Sequence, residues 1–209
     1  MTKTIDDRRT RGSPRRLRRS ELPTDARELA RFLIGKTLVH ETPQGRTSGR
    51  IVETEAYVIG DAAGHGFIGV TNRNRSLFLR RGHVYVYFNY GVHWMFNISA
   101  ERAGVGAGVL VRALEPLDGI DLMKNRRGTD RLVDLARGPG RLAQALAIDR
   151  RIDGVDLCAD GPVWLATALR PVGKIGRSVR IGITKEAHRL LRFYERGSVF
   201  VSGSSVMRR

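Results

Sequence analysis

The sequence predicts an α+β domain, a mostly antiparallel curved sheet or open barrel with helices packed around it. Three observations point there. Short runs rich in Val, Ile, Tyr and Phe crowd the middle of the 209-residue chain. Gly, Pro, Asn and Asp separate these runs at hairpin spacing, and helical patterning is confined to three stretches. With 41% hydrophobic residues the chain can bury one sizeable core, and no internal repeat or second linker divides it.

Residues 1–20 hold eight basic and two acidic side chains among polar neighbours, and they are expected to form a flexible, Arg-rich arm ahead of one domain over 21–209. Thr24 is placed to cap a helix over residues 25–33, which stops before Gly35. Strands follow over 37–41 and 49–58, with Pro43, Gln44, Gly45, Ser48 and Gly49 supplying the turn chemistry. Residues 60–76 show no period and read as a loop. A strand over 83–90, a short one over 96–99 and a strong one over 108–115 come next. Helices are expected over 117–126 and 140–147, then three short strands over 163–166, 179–183 and 198–202.

Lys and Arg number 37 against 21 acids, a formal charge of +16 and an isoelectric point near 11.2. Such a field attracts polyanions and gains from counterion release on phosphates. No apolar run approaches the roughly 18 residues that a membrane span needs, and no apolar segment near the start resembles a secretory signal. Cys158 is the single cysteine, which excludes an internal disulfide and a multi-cysteine zinc site. His40, His83, His93 and His188 show no ligand spacing. Neither metal nor cofactor is expected, and a cytoplasmic monomer fits best.

Chemistry concentrates in two segments. In a strand over 51–58 side chains alternate, so Val52, Thr54, Ala56 and Val58 share one face. Ile51, Glu53, Glu55 and Tyr57 share the other. Two carboxylates beside a ring read either as a reactive group or as a solvated edge. In the next candidate strand His83, Tyr85, Tyr87 and Asn89 alternate onto one face, with Tyr90 and Gly91 at its end. Four of the five tyrosines thus fall between positions 57 and 90. An aromatic box beside a carboxylate suits a flat, electron-poor ring, and a cationic ring further. The same tyrosines would also serve as core or as a dimer surface.

These segments belong to a longer pattern. GRIVETEAY (49–57), NRNR (72–75), YVYFNYG (85–91), NIS (97–99), VLVRALEP (109–116), GPGRL (138–142) and LRFYERGS (191–198) occur in that order. Together they resemble the alkyladenine (3-methyladenine) DNA glycosylase family, from about residue 22 to the end. The resemblance implies a monofunctional enzyme of base-excision repair. It would flip alkylated or deaminated purines out of double-stranded DNA and hydrolyse the N-glycosidic bond, leaving an abasic site.

Matched position by position, Glu55 resembles the general base that activates water. Arg112 and the main-chain carbonyl of Ile181 resemble the groups that help hold that water. Tyr57 and His65 would stack on opposite faces of the extruded base, with Tyr87 at the pocket edge. Asn97 is similar to the residue whose amide disfavours the exocyclic amino group of guanine. Tyr90 is similar to the side chain that fills the gap left in the helix. Glu53 has no catalytic counterpart, and a structural role is expected for it. The segment from Tyr57 to His65 is one residue shorter than in vertebrate members, so the role of His65 rests on that shorter loop.

Two rivals remain at this level. A non-enzymatic, basic RNA-binding module would use the same tyrosines for stacking, but it gives no reason for an acid among them. A glycosidase using Glu53 and Glu55 on free sugars would need the two carboxyls to flank the bond, whereas one strand face presents both from the same side.

Overall fold

The computed structural model describes residues 15–89 and 91–203, and the expected wedge, Tyr90, lies outside that set. The architecture is α+β as expected. Strands β1 (Thr37–Thr42), β2 (Gly45–Tyr57), β3 (Val84–Asn89), β4 (His93–Ser99), β5 (Gly108–Pro116) and β6 (Val163–Ala166) pair in the order β3-β4-β5-β2-β1-β6. Strands β7 (Ile175–Ser178) and β8 (Arg192–Glu195) join through a β8–β2 pairing, and every ladder is antiparallel.

Helix α1 (Ala26–Leu33) buries Ala26, Leu29, Ala30 and Leu33, the i, i+3, i+4, i+7 stripe of an amphipathic helix. Its cap is Asp25 rather than Thr24: the Asp25 carboxylate accepts from the N–H groups of Arg27 and Glu28 at 2.8 and 3.0 Å. Helix α2 (Ile120–Arg127) carries Lys124, Arg126 and Arg127 in its last turn, favourable at the negative end of the helix dipole. Helix α3 (Pro139–Ala145) starts with proline at its first position and buries Leu142, Ala143 and Ala145. Helices α1 and α3 pack on the sheet, and one large cluster from Leu17 to Phe193 forms the core between them.

β2 organises the site. Along one edge it pairs with β5. Along the other it pairs first with β1 (Gly45 to Arg50) and then with β8 (Glu53 to Glu55). Where the partners change, the register with β5 shifts between Ile51 and Glu53 and again before Thr54. These bulges change the face parity that strict alternation predicts. Ile51 joins Ala56 in the main core, and Val52 instead packs with Ala113, Tyr194 and Val201 in a second cluster. Beyond the bulge alternation resumes: Thr54 turns to the Ala30 carbonyl of α1, and Glu55 and Tyr57 point away from the core.

The last two expected strands are corrected. Residues 179–183 and 198–202 lie outside any strand, and β7 and β8 take that role. The polar groups of 179–183 are engaged elsewhere, with Ile181 N–H on Glu55 and the Arg180 guanidinium on Asp61. Ser202 N–H likewise meets Glu53. β8 was hidden because it buries Arg192 and Glu195, which read as surface residues. Residues 15–20, placed in the arm, attach to the body: Leu17 is buried and its N–H donates to the Leu165 carbonyl at 2.9 Å.

Candidate active site

Beyond the bulge, the Glu55 carboxyl is completely covered. Its Oε1 accepts from Ile181 N–H at 2.8 Å and lies 3.1 Å from Arg112 Nη1, and its Oε2 accepts from the Tyr57 hydroxyl at 3.1 Å. All three partners line one cavity of about 390 Å³. Burial pushes the Glu55 carboxyl above its ordinary range. The Arg112 charge and the Ile181 N–H pull it back, the neighbouring Glu53 charge adds to the rise, and the net direction is upward.

The cavity walls combine rings with aliphatic surface. Tyr57, His65, Tyr85 and Tyr87 contribute rings, while Leu77, Met95, Leu110, Pro139 and Ile183 contribute apolar surface. The His65 and Tyr87 centroids are 4.4 Å apart, and His65 Nδ1 is 2.8 Å from the Tyr85 hydroxyl. Burial, then the Arg73 charge, lowers the His65 pKa, so the imidazole is neutral near pH 7. Burial and the adjacent Glu55 charge raise the Tyr57 phenol, which stays protonated as a donor.

The loop carrying His65 is set by close approach and by one side chain. A Cβ on Gly66 would come within 2.0 Å of the Gly106 carbonyl oxygen, so only glycine fits. Asn74 Nδ2 donates to the carbonyls of His65 and Gly69 at 2.8 and 3.0 Å. The shortened loop thus still delivers His65 to the cavity. Tyr57 is backed by the Arg180 guanidinium 4.6 Å from its ring centroid, and Arg180 is itself paired with Asp61 and bonded to the Ala56 carbonyl.

The structure therefore brings together Glu55, Tyr57, His65, Tyr87, Asn97, Arg112 and Ile181. Asn97 reaches the cavity from β4, with Nδ2 donating to the carbonyls of Tyr85 and Met95 at 3.2 and 3.3 Å. For Ile181 the contact with Glu55 is made by its N–H, whereas the resemblance assigns its carbonyl to the water. Glu53 is fully buried rather than a solvated edge. It accepts from Arg112 Nε at 2.9 Å, Arg192 Nε at 2.6 Å, and the hydroxyl and N–H of Ser202 at 2.9 and 2.6 Å. With its lone pairs so engaged, it cannot act as the second carboxylate of a sugar hydrolase. No role was expected for Arg180, Asp61, Arg192 and Ser202, because each is a polar residue whose partner lies far away in sequence.

A family model described as methylpurine-DNA glycosylase (MPG) matches residues 20–199. The chain belongs to this family. A protein of Mesorhizobium japonicum is 68% identical over 185 residues, covering 88% of this chain and 89% of its own. A Paraburkholderia phytofirmans protein is 52% identical, covering 90% and 88%, and one from Methanoculleus marisnigri is 47% identical, covering 85% and 94%. Each is named "Putative 3-methyladenine DNA glycosylase". The chain is thus a DNA glycosylase, a hydrolase of N-glycosyl bonds that acts on DNA, and the RNA-binding module is set aside. Among the described residues of this glycosylase, no helix is long and apolar enough to cross a membrane.

Proposed function

We propose that the glycosylase everts an alkylated or deaminated purine from duplex DNA into the aromatic cavity and hydrolyses its N-glycosidic bond with water activated by Glu55. It acts as a monomer and leaves an abasic site. One observation carries this reading: the three groups that hold the buried Glu55 carboxyl are all walls of the ring-lined cavity. At about 390 Å³ the cavity sits at the small end of ligand pockets, roughly 300–1,000 Å³.

The target bond is inaccessible within stacked DNA, so the nucleotide must leave the helix. Tyr57 and His65 then clasp the base, with Tyr87 against His65. A purine alkylated on a ring nitrogen is cationic, is drawn to ring faces, and is not repelled by a neutral His65. Asn97, fixed by its two backbone bonds, cannot swing aside for a bulky exocyclic amino group. Tyr90 follows cavity-lining Asn89 in the chain and fills the gap in the stack. Phe88 and Val92, on either side of it in sequence, are exposed apolar residues suited to the groove.

As the glycosidic bond stretches, the sugar gains oxocarbenium character. The ionised Glu55 stabilises that charge and accepts a proton from water. Water reaches Oε2 when the Tyr57 ring seats against the base and its hydroxyl leaves. Arg112 and Ile181 keep Oε1 oriented meanwhile.

The test is base release from duplexes carrying 3-methyladenine, hypoxanthine or ethenoadenine, measured beside Glu55→Gln. The variant is expected to keep binding lesion duplexes while single-turnover excision falls by about 10²–10⁴-fold. Near-normal excision by the variant would remove Glu55 from the mechanism.

A further inference from the structure

We infer that Glu53 is a positioning residue: with Arg192 and Ser202 it holds Arg112 side-on, so that the guanidinium offers Glu55 a single nitrogen. The inference rests on the reading of Glu55 as the base.

Every nitrogen of the Arg112 fork is committed. Nε goes to Glu53 Oε1 at 2.9 Å, Nη1 to Glu55 Oε1 at 3.1 Å and Nη2 to Ser202 Oγ at 3.4 Å. Guanidinium and carboxylate ordinarily close on each other through two parallel bonds. Two buried pairs of this protein do so: Arg180 meets Asp61 through both Nη atoms, and Arg50 meets Glu195 in the same way. Arg112 does not do this to Glu55: Glu53 anchors its Nε end, and the Ser202 hydroxyl, which itself donates to Glu53 Oε1, takes Nη2, the second nitrogen that such a fork needs.

Glu53 is itself fixed from three directions. Arg192, fully buried on β8, donates Nε to Glu53 and Nη2 to the Ser202 carbonyl at 2.9 Å. Ser202 closes the assembly with its N–H on Glu53 Oε2 and its hydroxyl on Oε1. The chain segment after β8 thus reaches the site without touching the cavity. The two carboxylates and two guanidiniums balance, so Glu55 ionises within a neutral cluster.

The charged and titratable groups facing Glu55 are Glu53 and Tyr57 from β2, Arg112 from β5 and Arg192 from β8, opposite Glu55 in register. Arg180 stands beyond Tyr57, and Ile181 N–H comes from the 179–183 segment. Removing the Glu53 charge loosens both the Nε anchor and the Ser202 hydroxyl that holds Nη2, which frees Arg112 to fork onto both Glu55 oxygens. The base would then be less basic and its Oε2 closed to water. The Glu53 charge also raises the Glu55 pKa directly, so its loss acts in the same direction.

Glu53→Gln is expected to slow single-turnover excision about tenfold or more, part of the 10²–10⁴ that a positioned base contributes. Affinity for lesion duplex should stay near that of the parent. The acidic limb of the pH–rate profile should move down by about one unit, the small end of what an opposite charge does on closing upon a carboxylate. A purely structural role would slow the reaction without moving that limb. Glu53→Asp, which keeps the charge, should restore the limb toward its parental position.

Ser202→Ala is the milder second variant, for use if Glu53→Gln does not fold. It removes one hydroxyl shared by Glu53 and Arg112, and it should shift the limb in the same direction by less. An unmoved or upward-moving limb in the folded variants overturns the positioning role while leaving Glu55 as the base. Retained excision by Glu55→Gln would overturn both.

Discussion

Strand β2 buries charge at Arg50, Glu53 and Glu55, and the ion pairs at the first and last of these, five residues apart, are built differently. At Arg50 the guanidinium meets Glu195 through both Nη atoms, and Gly173 N–H adds a third donor at 3.0 Å. Burial raises the Glu195 carboxyl, but the Arg50 bonds, the Gly173 N–H and the Arg50 and Arg170 charges outweigh it, and its pKa falls below the ordinary range. At Glu55 the guanidinium arrives through one nitrogen, the second oxygen holds only a neutral phenol, and the pKa rises. Both carboxyls have little or no accessible surface, but Glu55 lies deeper in the protein, and burial is the cause that prevails there. Depth of burial and the edges of the arginine already engaged together make the difference. A closed fork makes a structural pair, whereas a fork held open leaves a carboxylate with basicity to use.

The largest effect that sharpens this contrast is on stability. Glu195→Gln leaves the Arg50 charge buried without its counterion, and a loss of about 3–5 kcal/mol is expected. Glu55→Gln should cost far less, within about 1 kcal/mol either way, since a neutral amide relieves a carboxylate that the fold only partly compensates. Urea melts of both variants at neutral pH decide it. Equal losses would mean that the single-contact carboxylate is as much a structural element as the closed pair.

The pH dependence of those melts should differ in sign. Glu195, with its folded pKa depressed, contributes stability above its unfolded value, lost as pH falls through the folded one. Glu55, with its folded pKa raised, contributes stability that is complete below its ordinary value of 4.5 and lost as pH climbs through the folded one. Glu55→Gln should therefore gain on the parent as pH rises above about 4.5, and the two curves should run parallel below it. On the proposed mechanism excision needs ionised Glu55, so the acidic limb of the parent is expected above the ordinary carboxylate range. A difference curve that is flat across this window would show that the Glu55 pKa is unshifted.

How much of this was legible in the sequence follows from which signals are periodic. The 37–42, 84–89, 108–116 and 163–166 strands announce themselves through β-branched and aromatic runs, and α1 through its stripe at positions 26, 29, 30 and 33. Tyr85 and Tyr87 were correctly read as one face because β3 has no bulge. Val52 was assigned to the wrong face because bulges respond to a change of strand partner, which no local pattern records. The closed and open forks were invisible for a related reason. Arg50 and Glu195 are 145 residues apart, Glu53 and Ser202 are 149 apart, and a lone arginine reads as surface wherever it lies. Resemblance to the family drew attention to Glu55 and Arg112, whereas the contacts of Glu53 with Arg112 and Ser202 leave no trace in the local sequence.

The smallest expected effect lies on the cavity side, at His65. Its ring packs against Tyr87 and its Nδ1 meets the Tyr85 hydroxyl. His65→Phe keeps an aromatic face and loses that hydrogen bond, a change of about 1 kcal/mol or roughly fivefold. On the proposal that this residue acts on the base and not on the water, the loss should fall on affinity for the everted lesion, leaving single-turnover excision at saturation nearly unchanged. His65→Ala removes the stacking surface as well and should lose a further 1–3 kcal/mol, about what one base–aromatic stack contributes. The parent should also weaken on cationic lesions, though not on neutral ones, as pH falls through the lowered His65 pKa, because an imidazolium would face a positive base. A His65→Phe variant whose saturated excision rate collapses like that of Glu55→Gln would place the imidazole in the chemistry, and the division between a binding wall and a reactive carboxylate would fail.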